Sequence, residues 1–292
     1  MKDNFIAQSF GKSQNYTDIP NQLYKEYDVK KGLRNEDGTG VRGGLTRVSD
    51  VVGYDYIDGV KTNIPGRLYY RGYDIVDITA ARSKEATGYE EVMFLLLFGF
   101  LPSKREFDNF NEVLRAMYAL PDDFLEMNLL RMPAQNLMNK LQHAVLTLYN
   151  YDEDPDNVEV YSTLLKGLDI TAKLPSIMCY AYQSKMHYFN RESLVIHYPD
   201  KKYSIAENIL YMLRENRQFS EKEASLLDTI LILQADHGGG NNSTFANVVV
   251  SSTGTDIYSS IAAAIGSLKG PKHGGANIQV SKMMEEIVAE IG

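Results

Sequence analysis

Three Ser-x-x-Glu signatures, at Ser103/Glu106, Ser204/Glu207 and Ser220/Glu223, each open a stretch of apolar residues at helical spacing. The pattern is a capping box. The serine hydroxyl accepts an otherwise orphaned backbone N–H three residues on, and the glutamate reaches back to the serine N–H. Three independent helix starts commit most of the chain to a mainly α fold. After Ser103, the residues Phe107, Phe110, Leu114, Met117 and Tyr118 recur on one helical face. One helix is expected from Glu221 to Ala235, stopped by Gly238-Gly239-Gly240. A second is expected to start at Asp256, a good N-cap, and to end at Gly270-Pro271; a last one runs from Asn277 to Ile291. The exception precedes residue 74. Val51, Val52, Tyr54, Tyr56 and Ile57 lead into Asp58-Gly59, a tight hairpin signal, with Leu68 to Tyr70 as the returning strand.

Function classes are narrowed by what the chain lacks. Its 292 residues give room for about two domains. The 30 basic and 38 acidic residues leave a net charge of −8 with no basic block, which argues against a nucleic-acid or anionic-membrane surface and for a small partner. The longest apolar run, Val92 to Leu101, is about half of what a bilayer span needs, so it is expected to be a buried core helix. The first residues, MKDNFIAQSF, lack the charged and apolar regions of a secretory leader. A single cysteine, Cys179, excludes an internal disulfide and fits a reducing cytoplasm.

Five histidines carry the candidate chemistry. His143, His187 and His197 sit in ordinary settings and are expected to be surface or packed side chains. His237 and His273 differ, because each follows an apolar helix at a glycine-rich break, in QADHGGGNNSTF and GPKHGGAN. Glycines beside a histidine allow close approach by backbone or ligand. His273 also precedes the helix expected at Asn277, whose N-terminus favours a carboxylate or a developing oxyanion. An imidazole there could donate a proton or hydrogen bond to a carbonyl. The alternative is that both histidines merely cap helices. A metal site lacks a third ligand at useful spacing, a Gly-x-Ser-x-Gly elbow is absent, and Gly11-Lys12-Ser13 lacks the earlier glycine of a phosphate loop.

At these residues the chain resembles citrate synthase. The ordered matches are Gly32-Leu33-Arg34 through Gly40 with Gly43-Gly44-Leu45-Thr46, then GRLYYRG from Gly66, VMFLLLFGFLP from Val92, ADHGGGNNSTF from Ala235, and GPKHGGAN from Gly270. The resemblance implies a mainly α homodimer whose large and small domains close over the substrates, and condensation of acetyl-CoA with oxaloacetate to give citrate and CoA, with no further cofactor. It implies that His273 hydrogen-bonds the acetyl-CoA carbonyl as the methyl is deprotonated, and that His237 binds oxaloacetate. Asn241 and Ser243 would shape the pocket and orient His273, with helix capping as their alternative role.

On this resemblance, residues 1–40 form an N-terminal arm, 41–272 a large helical domain with a β-hairpin near 50–72, and 273–292 the start of a small domain. Family members continue beyond this point with a Gly-x-Gly-His motif, a catalytic aspartate and carboxylate-gripping arginines. None is assignable here: no histidine follows His273 and no arginine follows Arg217. The chain is therefore expected to be truncated in the small domain and to be inactive alone, since removing a positioned base costs roughly 10²–10⁴-fold in rate. Two alternatives remain: a 2-methylcitrate synthase using propionyl-CoA, and a non-catalytic helical dimerisation module. Dimer contacts are expected on the helices 221–235 and 256–268.

Overall fold

The computed structural model describes residues 20–27, 46–81, 87–238, 240–274 and 276–291. The glycine-rich segment 34–44 and most of the expected arm lie outside the described residues. The chain divides into two units, Met1–Arg42 and Gly43–Gly292. The first shows one short helix, α1 (Asn21–Glu26).

In the second unit, the Asp58-Gly59 signal makes a two-residue turn with both residues at positive φ, 53° and 79°. It joins β1 (Ser49–Ile57) to β2 (Val60–Tyr70), a longer returning strand than the sequence indicates. Pairing runs antiparallel from Ile57↔Val60 at the tip to Ser49↔Tyr70 at the root, with a bulge between Val52 and Tyr54; β3 (Tyr73–Asp74) pairs with the end of β2. Helices follow: α2 (Ile75–Ala81), α3 (Gly88–Phe98), α4 (Lys104–Ala116), α5 (Leu137–Leu148), α6 (Val160–Asn190), α7 (Ile205–Leu213), α8 (Glu221–Leu233), α9 (Asn242–Ser251), α10 (Ile257–Leu268) and α11 (Ala276–Ile291). The fold is mainly α.

All three capping boxes form. Ser103, Ser204 and Ser220 accept the N–H of Glu106, Glu207 and Glu223, and each glutamate accepts its serine N–H at 2.8 Å. Asp256 caps α10 by accepting the Ser259 N–H at 2.7 Å. The run Val92 to Leu101 is buried only in its first half. Val92, Met93, Phe94 and Leu95 are inside, whereas Leu97, Phe98, Phe100 and Leu101 are exposed, because α3 ends at Gly99 and turns its last residues outward. Sequence reasoning did not mark α6, a 31-residue helix that continues through Pro175. Nor did it mark the π-helical turn Leu125–Leu130.

The core joins α3 to α7 and α10 through Phe94, Phe110, Leu114, Leu129, Val145, Ile177, Ile209 and Tyr258. A second apolar cluster, Tyr70, Ile75, Val92, Leu95 and Ile232, seats the hairpin root on α3 and α8. The helix starts are linked by buried carboxylates. Asp228 of α8 accepts the Tyr89 N–H at the start of α3, and Glu90 of α3 accepts the Ile205 N–H at the start of α7, at 2.9 and 2.7 Å. At the other end of α3, the Arg71 guanidinium donates to the Leu96 carbonyl. Burial also pushes the Cys179 thiol up to about 12. Among the described residues no helix is long and apolar enough to cross a membrane.

Glu90 gives a pH dependence with a defined sign. Burial raises its carboxyl from 4.5 to about 7, against the hydrogen bond from Ile205, which favours the charged form. The folded state therefore holds this proton more tightly than the unfolded chain does. The associated stability is complete below about pH 4.5 and is lost as pH rises through about 7. Urea midpoints measured from pH 5 to 8 should fall more steeply for the wild type than for Glu90→Gln; equal slopes would contradict the assignment.

Candidate active site

α8 ends at Leu233, two residues short of the expected stop, and the chain turns through Asp236, His237 and Gly238 before α9 begins. Tyr70, fully buried at the hairpin root, donates its hydroxyl to the Ile232 carbonyl at 2.9 Å and accepts the Asp236 N–H at 3.3 Å. The same burial pushes the Tyr70 hydroxyl up from its ordinary value. Ser49 Oγ donates to Asp236 Oδ2, and that oxygen also accepts the Gly238 N–H at 3.3 Å. Gly238 has φ of +78°, a conformation that favours glycine, and faces Ser49. The His237 side chain is exposed and makes no hydrogen bond among the described residues.

α9 is started by Asn241. Its Oδ1 accepts the backbone N–H of Ser243 at 2.7 Å and of Thr244 at 3.4 Å. The next helix, α10, packs against α9 and α5 and returns the chain through Gly270-Pro271 to His273. There the His273 N–H donates to the Gly270 carbonyl at 2.9 Å and the Gly274 N–H to the Leu268 carbonyl at 3.0 Å. A Cβ on Gly274 would overlap that Leu268 oxygen. The glycines at 238 and 274 thus serve the chain's own tight turns, whereas Gly240 faces open space. Gly239 and Gly275 lie outside the described residues.

These turns place His273 against α9. Its Nε2 lies 2.9 Å from Ser243 Oγ and 3.1 Å from Asn241 Oδ1. The amide oxygen can only accept, so that second contact is a hydrogen bond when Nε2 carries the proton. The serine hydroxyl can accept from Nε2–H or donate to a bare Nε2. In either tautomer the ring is anchored at Nε2, and Nδ1 has no protein partner among the described residues. α11 begins at Ala276, three residues on, with its N-terminus toward this turn. Such an imidazole can present Nδ1 to a ligand while the Ser243 hydroxyl keeps hold of Nε2.

Three of the four expected site residues, Asn241, Ser243 and His273, therefore meet. Helix capping and contact with His273 are not alternatives for Asn241, which does both. The other histidines are as expected: His143 is exposed on α5, His187 binds the Glu192 carbonyl through Nδ1 at 2.8 Å, and His197 is buried. His197 Nδ1 accepts from Arg217 and its Nε2 donates to the Glu215 carbonyl, so both ring nitrogens are used structurally. Among the described residues no group of three His, Cys, Asp or Glu side chains is placed to hold a metal ion. The grip of Ser49 and Tyr70 on Asp236 escaped sequence reasoning, since no local signal ties residues this far apart.

Comparison with known proteins identifies the family of the chain. The family described as citrate synthase, C-terminal domain, matches residues 38–291. A citrate synthase of Haloferax volcanii is 38% identical over 236 residues, covering 80% of this chain and 58% of that protein. A 2-methylcitrate synthase 2 of Corynebacterium glutamicum is 32% identical over 254 residues, covering 86% and 59%. The structure of a ternary complex of carboxymethyl coenzyme A and oxaloacetate with citrate synthase from Thermoplasma acidophilum superposes with a TM-score of 0.70 at 26% identity, covering 85% of this chain and 58% of that one. The chain thus spans somewhat more than half the length of the relatives it matches. With the family pattern extending from before the hairpin to the end of α11, and with both glycine-flanked histidines inside it, the chain belongs to the citrate synthase family.

Proposed function

We propose that this chain carries the thioester-polarising and keto-acid-binding histidines of an enzyme that condenses acetyl-CoA with oxaloacetate to give citrate and CoA. The observation that carries the proposal is the His273 ring, held at Nε2 by the Ser243 hydroxyl with Nδ1 left to a ligand. With the proton on Nδ1, Ser243 donates to Nε2 and the Nδ1–H meets the thioester carbonyl oxygen. As the acetyl methyl loses a proton, negative charge grows on that oxygen, where a fixed donor is worth most. The resulting enolate carbon then bonds to the ketone carbon of oxaloacetate as the ketone π pair moves onto its oxygen, which takes up a proton, and water hydrolyses the thioester to a carboxylate with release of the CoA thiol. His237, exposed and without a protein partner among the described residues, is the oxaloacetate ligand in this reading. No residue of this chain is assigned as the base.

The similarity to a 2-methylcitrate synthase keeps propionyl-CoA as a second substrate. One extra methylene is worth only about 1–3 kcal/mol in a pocket. We place the protein in the cytoplasm as a homodimer. The lone, buried Cys179 fits the first. For the second, α10 lies between α5 and α9, and exposed apolar side chains remain at Leu146, Val248, Val249 and Leu268 of these helices, available to a second copy. Of the helices expected to pair, α10 leaves Leu268 exposed and α8 leaves Leu226, Ile230 and Leu233 exposed.

Oxaloacetate-dependent release of the CoA thiol tests the reaction, on this chain and on the chain extended by the Gly-x-Gly-His and aspartate motifs. His273→Ala should lower kcat by about 10²–10⁴-fold with a much smaller change in oxaloacetate affinity. An unchanged kcat would remove the assigned role, and faster turnover of propionyl-CoA than of acetyl-CoA would favour 2-methylcitrate. Sedimentation equilibrium should show a dimer that Val248→Glu with Val249→Glu converts to a folded monomer. A monomeric wild type would contradict the dimer.

A further inference from the structure

We infer that Ser49 and Tyr70, opposite each other at the root of the β1–β2 hairpin, are positioning residues for His237; the inference rests on the reading of His237 as the keto-acid ligand. The two are paired across the antiparallel strands. Directly opposed residues project from one face of a sheet, so a single cross-strand pair can grip one target. That target is Asp236. Tyr70 accepts its backbone N–H at 3.3 Å, and Ser49 donates to its carboxylate. The carboxylate in turn accepts the Gly238 N–H at 3.3 Å. His237 is thus bracketed: the residue before it is held at two points and the residue after it at one, while its own ring stays exposed.

The arrangement goes beyond closing a helix. The Tyr70 bond to the Ile232 carbonyl satisfies one of the last acceptors of α8 and would suffice for that purpose. The Ser49–Asp236–Gly238 chain of bonds satisfies no helical group; it fixes the path of the three-residue loop. The glycine at 238, with φ of +78°, lets that path pass against Ser49. Outward from this root the hairpin is largely exposed, with Tyr56 63% and Val60 65% accessible, so the buried contact with the loop is concentrated where Ser49 is 6% and Tyr70 0% exposed. A ligand histidine on an unheld loop would lose conformational freedom on binding. One already fixed on both sides does not.

The test uses the whole chain with Tyr70→Phe, which keeps the packed ring and deletes the hydroxyl, Ser49→Ala, and Ser49→Thr as the conservative replacement. Amide exchange at Gly238 should accelerate about tenfold in the first two, and the His237 ring signals in NMR should shift while those of His143 stay in place. Ser49→Thr should return both readouts to wild type. Unchanged His237 signals and unchanged Gly238 exchange in both Tyr70→Phe and Ser49→Ala would overturn the inference. Oxaloacetate titration separates it from the functional reading. If His237→Ala abolishes binding but Tyr70→Phe and Ser49→Ala leave it intact, the positioning role is overturned. If His237→Ala leaves binding unchanged, the keto-acid assignment fails, and the positioning of the ring still stands or falls on the signals and the exchange.

Discussion

One amide oxygen, Oδ1 of Asn241, joins the start of a helix to the His273 ring. It accepts two backbone N–H groups at the head of α9 and also meets His273 Nε2. The contact with the ring is a hydrogen bond in the Nε2–H tautomer, whereas with the proton on Nδ1 it is Ser243 that holds Nε2. Ser243, one residue into α9, adds a hydroxyl that can reverse its direction and so hold the ring in either tautomer. The chemistry proposed for His273 depends on this anchorage, because a hydrogen-bond donor stabilises developing charge most when it does not have to reorganise.

The rest of the fold can be followed outward from the two loops. α9 and α10 are needed to carry the chain from Asn241 back to His273, and α10 is fixed between α9 and α5. The other loop hangs from α8, which is tied to α3 by Asp228 and, through Glu90, to the start of α7. Carboxylates buried at helix N-termini meet both the orphaned N–H groups and the positive end of the helix dipole there. The hairpin is the small element in this arrangement, yet its root reaches the loop that bears His237, through Tyr70 and Ser49.

What was legible in the sequence was local. Ser-x-x-Glu specifies a bond three residues long, Asp58-Gly59 a turn of two residues, and Asp256 a cap on the turn that follows it, so each formed as read. Helix ends shifted by one or two residues, at Leu233 and Ala276; at the first, the Tyr70 hydroxyl, 162 residues away in the chain, takes the Ile232 carbonyl. The two candidate histidines are each marked in the sequence by glycines, but what those glycines do was only partly legible. Gly238 and Gly274 answer to Ser49 and to Leu268 rather than to a ligand. The caps that run between helices were not legible at all, since Tyr89 and Asp228 are 139 residues apart and no periodicity connects them. The length of α6 was hidden by Pro175, which ordinarily breaks a helix and here is carried by packing on both sides.

A crystal structure of the chain with oxaloacetate and an unreactive acetyl-CoA analogue bears most directly on the claim that His273 polarises the thioester. The account predicts Nε2 still on the Ser243 hydroxyl, with the analogue's carbonyl oxygen within about 3.2 Å of Nδ1. A carbonyl bound elsewhere, or a ring turned so that Ser243 no longer reaches it, would contradict the account.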